Sequence, residues 1–368
     1  MNDVDLSVRL ASKPSFSHRR IVFLDYMRAF AFISVLIGHK FYAELATVIN
    51  DPTLHITFRY FFEALFPLTV GGAAGVVVFF LTSGYIITHV LQHESPADFI
   101  VKRIFRIYPL YIFAVLAESY MAWQIQGQPF PAVSIMLPRL LLIGDFFDVP
   151  NALAGVEWTL RIEILFYVFM ALIKASGLFS VQRFLPVFYL IIATILYVMP
   201  AFPSAAHWNA GYVNTYALFL FLGSLIYLGQ KCRVDTKLCA IVGVLLMIMF
   251  LSKIALIQPG WKESNYAILA LGIFLCALYF EAALEDGRVL RLISDLTFSV
   301  YLFHNWLWQY LEFAVTSVGV AGIAAKIAIT GLLFFICYLL HHTVERFGLV
   351  AGKSLLRTRG QKYSGLGA

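Results

Sequence analysis

The sequence predicts an all-α integral membrane protein of about ten transmembrane helices, with both termini in the cytoplasm. Three observations carry that expectation. The 368 residues are 61% hydrophobic and only 13% charged, whereas a soluble domain is about 45–50% apolar and about 25% charged. Apolar stretches close to the ~20 residues that cross a bilayer recur along the whole chain. The lysines and arginines between those stretches fall in alternation.

In order, the stretches are 21–42, 68–90, 107–123, 156–174, 184–200, 212–229, 238–257, 265–282, 293–313 and 322–342. Arg9, Lys13, Arg19 and Arg20 precede the first. Lys102, Arg103 and Arg106 lie between the second and third, and Lys174, Arg183, Lys231, Arg233, Lys237, Arg288 and Arg291 lie in later loops of the same parity. The opposite side holds only Lys40, Arg59, Arg139, Lys253 and Lys262. A bias of this kind places the basic side inward. The piece 133–148 is apolar but short and broken by Pro138, and a span there would invert every later loop. It is expected to lie at the outer interface or re-enter. The chain then divides into a cytoplasmic tail at 1–20, one transmembrane domain at 21–345 and a basic cytoplasmic tail at 346–368 that is expected to be loose. No cleavable signal peptide is expected.

The net charge of +6 is distributed as membrane topology, so no nucleic-acid partner is predicted; the partner implied is the lipid bilayer. Cys232, Cys239, Cys276 and Cys337 have no ligand spacing and read as small buried hydrophobes. His341, His342 and Glu345 do not follow the zinc-binding helix pattern and read as interfacial, so no metal is predicted. No phosphate-binding glycine loop is present, which argues against ATP or NAD chemistry.

Charges inside apolar stretches are costly and mark interiors or wet cavities. The first stretch carries Asp25, Arg28 and His39. Arg28 and His39 are eleven residues apart, which places them about 20° apart around a helix and about 16 Å apart along it. His39 is either a helix-end histidine bonded to a neighbouring span or a general base, and its alignment with Arg28 favours the base. Asp25 and Arg28, one turn apart, can neutralise each other. Gly71 and Gly75 have the spacing that lets helices approach closely, and Ser83 can bond its own backbone. Arg103 and Arg106 serve topology or form an anion clamp suited to nucleotide phosphates. Glu157 and Arg161 are expected to pair at the outer boundary, with Glu163 deeper and Tyr167 one turn on. Thr297, Tyr301 and His304 share a face of the ninth stretch.

Five motifs, LDYMRAFAFISVLIGH (24–39), GVVVFFLTSGY (75–85), RIFRIYP (103–109), EWTLRIEILFY (157–167) and FSVYLFH (298–304), together resemble the acyltransferase-3 family of multi-pass bacterial O-acyltransferases. Val77 replaces an acid common at that position, and Thr159 replaces a serine. The resemblance implies an acyltransferase of the bacterial inner membrane. It would move an acyl group, acetyl above all, from acyl-CoA to a hydroxyl of a cell-surface carbohydrate or glycolipid, with no permanently bound cofactor. His39, Arg28 and Glu163 would be catalytic. Arg28, Arg103, Arg106 and Ser83 would hold acyl-CoA, and Trp158, Tyr167, Tyr301 and His304 would hold the acceptor. Buried Arg, His and Glu in ten spans also suit a transporter or flippase of a lipid-linked glycan.

Overall fold

The computed structural model describes residues 20–204, 210–258 and 265–364. Among them there are helices and no strand. The chain begins with α1 (Val22–Lys40), followed by a short pair, α2 (Tyr42–Asn50) and α3 (Ile56–Leu65). The His55 ring accepts the backbone N–H of Thr57 and starts α3, which exposes Ile56, Phe58, Tyr60 and Phe61. Left-handed Gly71 and Gly72 turn the chain into α4 (Ala73–Leu91). In α5 (Pro96–Gln126), Ser95 caps the first turn through the N–H of Asp98, and Gly127 at positive φ ends the last.

The 133–148 piece makes only α6 (Val133–Leu140) and a tight turn at Gly144–Phe146, so it is too short to span. Next come α7 (Glu157–Ala175), α8 (Leu185–Val198), α9 (Tyr212–Lys231), α10 (Thr236–Ile257) and α11 (Asn265–Tyr279). The chain closes with α12 (Arg288–Phe303), α13 (Trp306–Ser317), α14 (Gly322–Leu340), a π turn at His341–Glu345 and α15 (Arg346–Ser364).

Each predicted apolar stretch contains a helix, but by length and composition five helical segments are long and apolar enough to cross a membrane: Val22–Lys40, Ile56–Leu91, Tyr212–Lys231, Thr236–Ile257 and Gly322–Thr358. Of the other five stretches, 107–123 is the middle of the longer α5, and four fall short for visible reasons. α8 and α11 are brief, α7 carries Glu157, Arg161, Glu163 and Lys174, and the ninth stretch is two helices, α12 and α13, broken at His304 and Asn305.

α4 lies at the centre and packs most extensively on α9 and α1. Missing side chains set those distances. A Cβ on Gly84 would lie 2.0 Å from the Leu220 carbonyl oxygen, and one on Gly223 would lie 2.1 Å from that of Leu81, so the α4–α9 crossing is backbone on backbone from both sides. A Cβ on Gly75 would lie 2.3 Å from the Ala31 carbonyl, and one on Gly38 would lie 2.0 Å from that of Thr69. Ser34 seals the α1–α4 seam: its hydroxyl donates to the Leu68 carbonyl and accepts the N–H of Gly75 at 3.0 Å. α9 is accordingly 89% buried, against 28% for α10 and 22% for the α14 segment, which face outward.

Two expectations are corrected. The described part of the tail, 346–364, is not loose but helical: Gly348 and Gly352 lie one turn apart and let α15 close on Phe105 and Pro109 of α5. These two glycines serve close approach, not freedom. Among the cysteines, Cys239 and Cys337 are buried and Cys232 is half-buried, but Cys276 is exposed.

Gly223→Val should cost about 1–3 kcal/mol or more by overpacking, measured as unfolding in detergent. Gly272→Ala, with nothing within 4 Å of the new methyl, should be neutral or mildly stabilising.

Candidate functional site

α1 carries ionisable side chains to two different cavities, one toward each end. At its C-terminal end a cavity of about 140 Å³ is lined by His39, Gly71, Trp158, Tyr301 and His304, among others. His39 is exposed into it. The helix break delivers His304: α12 stops at Phe303, and Asn305 donates to the Ala154 carbonyl at 2.8 Å while accepting Lys40 Nζ at 3.0 Å. Lys40 follows His39 directly, so the break is tied to the catalytic candidate's own helix end. His304 is 1% exposed, its Nδ1 lies 2.7 Å from the Tyr301 carbonyl, and its Nε2 has no hydrogen-bond partner among the described residues. The His39 and His304 ring centroids are 5.3 Å apart. The Tyr301 hydroxyl bonds Thr159 at 2.8 Å and its ring stacks on Phe79. Trp158 packs among Tyr212, Tyr216 and Phe80.

Toward the other end of α1 a cavity of about 290 Å³ is lined by Arg28, Arg103, Asp25, Arg20, His89 and Glu94, among others. Asp25 is buried and anchors the group. It accepts Ser294 Oγ at 2.6 Å, both Arg20 donors, and Arg28 at 3.5 Å. The pairing of Asp25 with Arg28 is therefore real but long, and Arg20 holds the carboxylate more closely. Arg20 also reaches Asp295 at 2.9 Å. Arg103 has no carboxylate partner among the described residues; its guanidinium lies over the Phe99 ring, and its buried Nε is unpaired. Arg106 is tied instead to Glu345, which also accepts Ser299 and His341, each at 3.0 Å. Glu345 read as interfacial in the sequence; it is buried and fixes Arg106 across the α12, α14 and α5 contacts.

Glu163 lines neither cavity but is near residues that line each. It is buried, accepts the Ser83 hydroxyl, bonds Tyr167, and lies within electrostatic reach of Arg103 and Arg106. On the other side it is within reach of Tyr301. Among the described residues it makes no hydrogen bond to His39. Ser83 therefore uses its hydroxyl on a carboxylate of α7, not on its own helix.

Arg161 and Glu157 do not pair. Arg161 bonds Asp145, the Leu142 carbonyl at 3.1 Å and Asn151 at 3.0 Å, while Glu157 accepts the N–H groups of Ala152 and Leu153. Helical spacing suggested an i,i+4 pair, but the turn at 144–146 brings Asp145 to the cation and the turn at 152–153 presents N–H groups to the carboxylate. Asp145 carried no signal in the sequence.

The arrangement offers a base-bearing cavity, a cation-lined cavity and a buried carboxylate near residues of both. A profile of an acyltransferase domain matches residues 21–342. The chain is 29% identical to Acyltransferase MdmB of Streptomyces mycarofaciens over 36% of its own length and 37% of that protein. It is 28% identical to the Putative peptidoglycan O-acetyltransferase YrhL of Bacillus subtilis, over 45% of its length and 25% of the relative. It is also 28% identical to the Exopolysaccharide production protein ExoZ of Rhizobium meliloti, over 72% of its length and 83% of the relative. No solved structure matches the chain.

Asp145→Ala leaves the Arg161 cation, 2% exposed, without its counter-charge. It should destabilise the protein by about 3–5 kcal/mol, read as a loss of folded protein on gel filtration or a lowered melting temperature in detergent.

Proposed function

The chain belongs to the acyltransferase-3 family of membrane proteins, and from that premise we propose that it is an O-acyltransferase moving an acetyl group from acetyl-CoA to a carbohydrate hydroxyl. The observation that carries the reading is α1 itself. His39 and Arg28 open on separate cavities about 16 Å apart by helix rise, with Glu163 near residues that line each. The donor's phosphates dock on Arg28 and Arg103, and Arg106, held by Glu345, adds its charge behind them. The pantetheine arm runs past Ser83 and Glu163 toward His39. His39 takes the proton of the acceptor hydroxyl as its oxygen bonds the thioester carbonyl carbon. The carbon–sulfur bond then breaks, and the departing thiolate takes the proton back from the imidazolium. Tyr167 supports Glu163, and Trp158, Tyr301 and His304 line the acceptor side. The names of MdmB and YrhL support acyl transfer over transport of a lipid-linked glycan.

The reading extends to topology: ten spans in the bacterial inner membrane, both termini in the cytoplasm, the arginine cavity inward and the His39 cavity outward. The alternation of lysine and arginine supports it. A fluorescent protein fused after Ala368 should fold and fluoresce, whereas periplasmic alkaline phosphatase fused at the same point should be inactive. An active phosphatase there would reverse the assignment of donor and acceptor sides.

Purified protein in nanodiscs, given acetyl-CoA and a glycan extract of the host membrane, should release free thiol. His39→Ala should lower that rate by at least about 100-fold with acetyl-CoA binding intact by calorimetry. Arg103→Ala should raise the KM for acetyl-CoA about tenfold with little change in kcat. Full activity in His39→Ala would remove the proposed base.

A further inference from the structure

The His39 cavity contains a second imidazole whose protonation form is fixed by its neighbours. A backbone carbonyl only accepts, so the 2.7 Å contact between His304 Nδ1 and the Tyr301 oxygen requires the hydrogen on Nδ1. The neutral ring then carries its lone pair on Nε2. That atom is buried, has no hydrogen-bond partner among the described residues, and belongs to a ring that lines the cavity. A buried acceptor left unsatisfied costs about 1–3 kcal/mol, and such atoms in sites are matched by a ligand donor. His39, 5.3 Å away between ring centroids, makes no hydrogen bond among the described residues. Two imidazoles without a hydrogen-bond partner on the cavity side therefore face one small cavity, whose other walls are mainly small and aliphatic residues with Trp158, Tyr216 and Tyr301.

We propose that His304 is a hydroxyl-binding partner of His39: its Nε2 accepts a hydrogen bond from the hydroxyl next to the one that is acylated, so that the cavity selects a vicinal diol. This rests on the acyl-transfer reading above. Neighbouring hydroxyls of a sugar project two O–H donors about one hydrogen-bond length apart, a spacing suited to two adjacent imidazole acceptors. The aromatic rings of Trp158 and Tyr301 supply apolar faces for the ring carbons. A monohydric alcohol would satisfy one imidazole and leave the other buried and unpaired, which is the kind of mismatch that gives strong discrimination. His304 holds its donor in place, and His39 receives the proton that is transferred. The break between α12 and α13 is what makes this possible. A continuous helix would spend the Asn305 backbone on the ladder and leave Lys40 and Ala154 without the Asn305 side chain that now fixes the corner.

Two substitutions separate this role from a purely structural one. His304→Asn places an amide where Nδ1 was and can still serve the Tyr301 carbonyl, but it has nothing at the Nε2 position. His304→Gln reaches the Nε2 position with an amide oxygen. With the nanodisc assay and the host glycan extract, the acceptor KM should rise about tenfold in His304→Asn and stay within about threefold of wild type in His304→Gln, with the KM for acetyl-CoA unchanged in both. Wild-type behaviour in His304→Asn would show that the ring only braces Tyr301 and would overturn the proposal. NMR of the acylated product should place the ester beside a free hydroxyl; an ester on an isolated hydroxyl would overturn the diol assignment. Long-range proton–nitrogen NMR of histidine-labelled protein, with the His304 signal identified by its loss in His304→Gln, tests the proton position without turnover. Hydrogen on Nε2 would overturn the proposal whatever the activity. If wild type neither binds acetyl-CoA nor releases thiol, the acyl-transfer reading fails and the diol assignment falls with it, while the proton position of His304 is still decided by NMR.

Discussion

The backbone-to-backbone approach of α4 to α9 and α1 is the constraint on which the rest depends. Within a bilayer, apolar side chains gain little by leaving lipid for protein, so helix association rests on contact area and small residues at the crossing. Gly84 against Leu220 and Gly223 against Leu81 are reciprocal, which fixes both the depth and the rotation of the crossing. Gly75 of α4 against Ala31 and Gly38 of α1 against Thr69 do the same for α1. Because α1 carries Arg28 and His39, and α4 carries Ser83, the crossing glycines determine where the chemistry-bearing side chains stand relative to each other.

A second constraint is the disposal of charge. Asp25, Asp145, Glu157, Glu163 and Glu345 are all buried, and each is met in a different way. Asp25 is shared by two arginines and Ser294, and Asp145 takes Arg161. Glu157 is capped by backbone N–H groups. Glu345 takes Arg106 with two further donors, and Glu163 has a serine and a tyrosine. Glu157 and Glu163 among these have no direct cation, and Glu163 is within electrostatic reach of residues that line each cavity. Arg103 is the complementary case, a cation with no acid. Among the described residues Glu163 and Arg103 thus make no direct ion pair, and Arg103 lines the cavity at the start of α1.

Much of this was legible in the sequence because it is local. The Arg28–His39 alignment follows from helical periodicity, and the helices lie close to the boundaries that apolar length suggests. What was not legible is what partners across the fold decide. The run 293–313 has the length of a single span and carries no proline or glycine to mark a break at His304 and Asn305; the break is stabilised by Lys40 and Ala154, which are remote in sequence. Glu345 looked like an interfacial residue because its partner, Arg106, lies 239 positions away. Arg161 looked paired with Glu157 because helical neighbours are the only partners a sequence displays. The glycines at 348 and 352 looked like signs of a loose tail because a close approach is invisible without the helix being approached.

The π turn at His341–Glu345 has a further meaning for the last part of the chain. A wide turn inserts an extra residue into the helical ladder, and one residue is about 100° of rotation. Above it, Ala325, Ile329, Leu333 and Cys337 form the buried stripe of α14; below it, Gly348 and Gly352 form the stripe by which α15 meets α5. The turn works as a phase adjuster between two stripes on one long helix. The width of this turn is therefore read out as direction: the same residues wound as an ordinary α-helix would present Phe347 and Ala351, not Gly348 and Gly352, to the helix that carries Arg103 and Arg106.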